Sequence, residues 1–176
     1  MKFLTVLLMG ATSILIQNNI IDQRESQIEK LSTTLKFDKK IQYASEHLEG
    51  ETSYFKNEEN SIKRILMVWD HGSYGGMEKE YYTINNQIIY HKSLEQEWSG
   101  ESGNQYSLSE TIYYFSDDSL GLKTYRQIET FGEELKDTDL EKLESSVKDT
   151  SSLEPRDYTR LRTDLTHYEN QQLLEK

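Results

Sequence analysis

Three times the chain sets a pair or trio of aromatic residues ahead of a polar turn and a returning strand. They are Tyr54-Phe55 before Asn57-Glu58-Glu59-Asn60, Tyr81-Tyr82 before Asn85-Asn86, and Tyr113-Tyr114-Phe115 before Asp117-Asp118-Ser119. Aromatic and β-branched residues suit a pleated, half-buried surface, and Asn and Asp tolerate the positive φ of tight reversals. The repeat therefore predicts three tandem β-hairpins. With their flanks they give strands near 51–56, 61–69, 77–84, 87–94, 107–115 and 120–128, a six-stranded antiparallel meander. Ile65-Leu66-Met67-Val68-Trp69 is continuously apolar, which predicts a central strand covered on both faces, with Leu66 and Trp69 in the core.

Helical signals flank the sheet. Ile21, Ile28, Leu31 and Leu35 recur at helical spacing among charged residues, predicting an amphipathic cover from about Ile20 to Leu35. Lys36 to Gly50 fits either more helix or an entry strand. Beyond the sheet, Thr138-Asp139-Leu140-Glu141 matches a capping box, and Leu140, Leu143 and Val147 give a short apolar stripe. Pro155 suits a first helical turn, and Tyr158, Leu161, Leu165 and Tyr168 continue at three/four spacing toward Leu174. That last helix packs on the domain, pairs with another chain, or frays.

The N-terminus reads as a leader. Lys2 precedes the apolar run Phe3–Met9 and the small residues Gly10-Ala11-Thr12-Ser13, the order of a secretory signal peptide. Cleavage after Ser13 or near Gln17 is expected, leaving one domain over 18–176 with 51–128 as the meander and 138–174 helical. Phe3 to Ile16 falls short of the roughly 20 residues a membrane-spanning helix requires, so no stable span is expected after leader removal.

Charge narrows the partners. The formal net charge is −11, and without Lys2 19 basic side chains face 31 acidic ones, a net of −12. Such a surface repels phosphate backbones and anionic lipid, so no nucleic-acid partner is expected. Cysteine is absent, which rules out disulfides, thiolate zinc sites, a cysteine nucleophile and the lipid-accepting cysteine of a bacterial lipoprotein.

The phrases Gly50-Glu51-Thr52-Ser53-Tyr54-Phe55, Glu80-Tyr81-Tyr82 leading to Gln87-Ile88-Ile89-Tyr90, and Glu110-Thr111-Ile112-Tyr113-Tyr114-Phe115 leading to Leu120 carry a resemblance. Over residues 50–127 the chain resembles a loose group of small uncharacterised bacterial exported proteins with tandem aromatic-pair hairpins, whose phrasing is shared with MORN-variant repeats. The resemblance implies the hairpin fold and export. It brings no catalytic residue to transfer. The chain departs from that pattern by lacking Gly in all three turns, which favours longer type I loops at the first and third over two-residue type I′ turns.

Candidate chemistry is sparse. The four histidines, His47, His71, His91 and His167, are not spaced as a metal pair, so no metal and no cofactor are expected. Asp70-His71-Gly72-Ser73 gathers an acid, an imidazole and a hydroxyl in one loop, the basis for an alternative reading as a small hydrolase. Turn chemistry accounts for Asp117-Asp118-Ser119 without calcium. Glu78/Glu80 and Glu95/Glu97 each share one side of a strand, as a glycosidase carboxylate pair would; a solvated strand gives the same pattern. The aromatic residues offer more. Because Tyr81 and Tyr82, and likewise Tyr113 and Tyr114, point to opposite faces, helices on one face would leave the other rings open. Tyr81, Tyr82, Tyr90, Tyr113 and Tyr114, with Trp98 nearby, are thus candidate binding residues for a sugar ring or an apolar protein surface. The sequence therefore predicts an α+β exported domain acting as a binding module for a protein or glycan in the periplasm or at the cell surface.

Overall fold

A computed structural model describes residues 19–45, 49–70, 75–98, 105–116, 121–132 and 135–174. The expected leader, His47, His71, the 99–104 loop and Asp117-Asp118-Ser119 lie outside those residues. Helix α1 (residues 19–34) leads into β1 (Lys36–Ala44), β2 (Glu49–Lys56), β3 (Ile62–Asp70), β4 (Gly75–Ile84) and β5 (Gln87–Trp98). Then come β6 (Gln105–Phe115), β7 (Gly121–Phe131), α2 (Asp137–Ser145), β8 (Asp149–Ser152) and α3 (Pro155–Leu174). All eight strands form one antiparallel sheet in sequence order. The fold is α+β as expected, with eight strands among the described residues where the sequence predicted six. The ambiguous segment after α1 is β1, and β8 is a short, fully exposed strand of Asp, Thr and Ser with no apolar signal to betray it. Among the described residues no helix is long and apolar enough to cross a membrane.

Asparagine makes the turns. Asn85 and Asn86 both adopt positive φ, 50° and 65°, as a two-residue type I′ hairpin demands. The second turn thus takes the tight geometry without Gly, since Asn tolerates positive φ at both positions. In the first hairpin Asn60 takes φ 55°, and the Asn57 side chain accepts a hydrogen bond from the Ile62 amide at 2.9 Å.

Helices cover both faces, which decides where the core sits. One cross-strand row runs Tyr54, Ile65, Tyr81, His91, Tyr113, and α3 lies along it with Leu161, Leu165 and Tyr168 buried. The Tyr54 hydroxyl donates to the Tyr168 carbonyl at 3.1 Å. The neighbouring row, Phe55, Arg64, Tyr82, Tyr90, Tyr114, faces the other way and is roofed by Ile20, Ile21, Ile28, Leu31 and Leu35 of α1 and its exit. A bulge between Tyr82 and Thr83 leaves Ile89 without a partner on β4, and Ile89 joins Tyr90 under α1. Helix α3 thus packs on the sheet through Leu161, Leu165 and Tyr168.

Three local expectations change. On β3, Ile65 and Met67 are buried, Leu66 and Trp69 half-buried and Val68 exposed. Leu66 and Val68 share the α1 face but lie outside its apolar cluster, whereas Ile65 and Met67 face α3 and form the core, with Trp69 partly buried at the margin of that same cluster. Helix α2 starts before Thr138, with Lys136 at its N-cap and no side-chain cap, so no capping box forms. Its Leu143 is buried, while Val147 is 85% exposed beyond the helix.

Candidate binding face

Five of the six aromatic residues expected at a binding surface are inside the protein. Tyr81, Tyr82, Tyr90, Tyr113 and Tyr114 are all buried, and only Trp98 is exposed, at 43%. Members of each pair do point to opposite faces, as strand alternation requires. The expectation of an open aromatic face is corrected because each face has its own helix, so both rings of every pair are covered. On the α1 face the rings form an edge-to-face ladder, Tyr82 on Tyr90 at 5.9 Å and Tyr90 on Tyr114 at 5.8 Å between centroids. The Tyr114 hydroxyl donates to Glu25 of α1 at 2.8 Å. Burial, above all, raises the pKa of Tyr82, Tyr90 and Tyr114, keeping their hydroxyls protonated.

On the α3 face His91 lies between Tyr81 and Tyr113, with centroids 4.2 Å and 5.6 Å away. Its Nδ1 lies 3.1 Å from the Glu80 carbonyl oxygen. Burial pushes its pKa down to about 3; the Glu80 carbonyl opposes that shift, and the charges of Lys79 and Arg160 add to it. This imidazole is a neutral core group rather than a proton donor to substrate.

The open ground lies on the α1 face, below α1. There a row runs Gln42, Glu51, Val68, Glu78, Leu94, Glu110, Arg126 across β1 to β7. Its β6–β7 end is roofed by α2, where Glu110 and Arg126 are buried and paired at 2.7 Å. Arg126 also donates from Nη1 to the Glu144 carbonyl at the end of α2, 2.6 Å away, and Lys92 reaches the other Glu110 oxygen at 3.2 Å. Toward β1 the row emerges from cover, with Val68 39% exposed and Glu78 and Leu94 half-buried.

At the β1–β3 end of this face is a groove of about 420 Å³, lined by Gln42, Tyr43, Ala44, Glu49, Gly50, Glu51, Val68 and Asp70. Gly50, in the floor of the groove, leaves room for a ring on the other side of the sheet. A Cβ there would stand 3.0 Å from the Val68 carbonyl oxygen and 3.1 Å from the Trp69 indole, which packs beside Tyr43 on the opposite face with centroids 6.4 Å apart. The groove is acidic. Glu51 pairs with Lys40 at 2.8 Å, whereas Glu49 has no ion pair among the described residues.

The structure brings Asp70 together with Glu49 and Glu51 but, among the described residues, sets no histidine beside them, since His91 and His167 lie on the α3 side. Glu78 and Glu80 share the α1 face, and Glu80 is held by Arg64 at 2.5 Å; Glu95 and Glu97 lie on the other face. No group of three acidic or histidine side chains that could hold a metal ion is found among the described residues. Sequence reasoning misses the groove because two of its three walls belong to β1 and the start of β2, where the periodicity is ambiguous. No family model, curated protein or solved structure matches this chain.

Proposed function

We propose that this chain is a non-enzymatic binding module exported to a bacterial periplasm or cell surface, working through the open half of its α1 face. One observation carries the reading: the sheet is roofed by α1 above and α2 at one side, yet the ground between holds exposed Val68 and Trp98 and a groove of about 420 Å³. That volume falls within the range of ligand sites, roughly 300–1,000 Å³. Apolar side chains set among carboxylates suit a partner that offers both, such as a protein segment or a glycan. Export is supported by Lys2, the Phe3–Met9 run and the small residues after it.

The test places a photo-crosslinking side chain at Val68 and, as control, at Thr163 on the exposed side of α3, in the native envelope. Adducts at position 68 and none at 163 are expected. Equal labelling at both, or none at either, overturns the reading, and an intact mass still containing Met1–Gly10 overturns leader removal.

A further inference from the structure

The groove lies beside the long free edge of the sheet. Strand β1 ends the sheet, and among the described residues nothing pairs with its outer side. A free edge offers unpaired N–H and C=O groups to any incoming strand, and natural sheets blunt such edges with bulges and charges. On β1 those devices are confined to the first half. The bulge falls between Phe37 and Lys39, and the charges are Lys36, Asp38, Lys39 and Lys40. Ile41, Gln42, Tyr43 and Ala44 carry neither charge nor bulge and pair with Thr52, Glu51, Gly50 and Glu49 in unbroken register. Three of these four unprotected residues line the groove.

We infer that Ile41–Ala44 is a docking edge for an extended polypeptide segment with basic residues at alternate positions, added to β1 as a ninth strand. The inference rests on the binding-module reading and names its partner class. Neighbouring strands stand about 4.8 Å apart, so an added strand runs about 10 Å from the β2 backbone. Lysine or arginine on its groove side closes that gap toward Glu49 and Glu51. Their aliphatic stems lie over Gln42 and Ala44 of β1 while the charged heads meet carboxylate on β2. Side chains at the intervening positions point to the other face, beside Ile41 and Tyr43, where apolar residues fit. Main-chain hydrogen bonds supply affinity, and the acidic groove selects the sequence.

The test uses the full chain with a fluorescent seven-residue peptide alternating arginine and valine, and its glutamate counterpart. The arginine peptide is expected to bind and to slow amide exchange across 41–44, leaving α3 unchanged. Glu49→Lys should weaken binding by about tenfold with an unaltered unfolding midpoint. Failure of the arginine peptide to bind, equal binding of the glutamate peptide, or protection away from 41–44 each overturns the proposal. Concentration-dependent protection of the same amides without peptide assigns the edge to a second copy of the chain and overturns it too. Crosslinks at position 68 in the envelope, with 41–44 unprotected by the peptide, leave the binding module standing and remove only the added strand.

Discussion

His91 is stacked on Tyr81, ring centroids 4.2 Å apart and planes 27° apart, inside the layer closed by α3. The unfolded chain takes up the His91 proton near pH 6.5, but the folded chain resists it until about pH 3. Stability from this group is therefore complete above pH 6.5 and drains away as pH falls toward 3, by on the order of 4 kcal/mol at most. His91→Phe should flatten that part of the pH dependence. Denaturant midpoints of both proteins at pH 7, 5 and 4 check it, and parallel curves would refute the neutral, buried imidazole.

Strand β3 gives a test of alternation. Met67→Ala and Ile65→Ala should each cost about 2–5 kcal/mol, since both side chains are buried. Leu66→Ala and Val68→Ala should cost about 1 kcal/mol or less, because those positions face partly open ground. Chemical denaturation of the four variants ranks them, and equal losses would contradict the one-sided cover.

Two tyrosine hydroxyls in the same layer should respond oppositely to removal. The Tyr81 hydroxyl is buried without a hydrogen-bond partner among the described residues, whereas Tyr54 donates to Tyr168. Tyr81→Phe should be neutral or stabilising by about 1 kcal/mol, and Tyr54→Phe destabilising by about 1 kcal/mol. Thermal unfolding of the pair decides the sign.

The buried Glu110–Arg126 pair holds α2 to the sheet. Arg126→Ala should cost about 3 kcal/mol, because it leaves the buried Glu110 carboxylate with Lys92 as its one remaining ion-pair partner among the described residues and frees the Glu144 carbonyl. Replacing both residues, Glu110→Leu with Arg126→Met, should cost less than either single loss. Hydrogen exchange in α2 should quicken in the single variant, and an unchanged rate would show that Leu143 alone holds the helix.

Local rules made most of the elements legible. Aromatic runs and Asn turns placed the central strands within a few residues, Pro155 marked the start of α3, and the Ile21–Leu35 stripe marked α1. Where local rules competed, the outcome lay elsewhere in the chain. Thr138 to Glu141 has the letters of a capping box, but α2 begins at Asp137 with Lys136 as its N-cap, so Thr138 lies inside the first turn and cannot cap it. Lys36 to Gly50 has no clear period because its strand is an edge, with Ile41 buried and most other positions exposed.

By itself the sequence determined that Tyr81 and Tyr82 look in opposite directions, since side chains alternate along any strand. It could not determine whether either ring meets water. That depended on helices from both ends of the chain, α1 reaching Tyr82, Tyr90 and Tyr114 and α3 reaching Tyr81 and Tyr113. Period and turn chemistry act over a few residues, whereas cover is decided by where distant apolar stripes find matching area to bury. The same long-range choice left the groove beside β1 open, because α1 spends its apolar stripe on the upper rows and ends before reaching Val68.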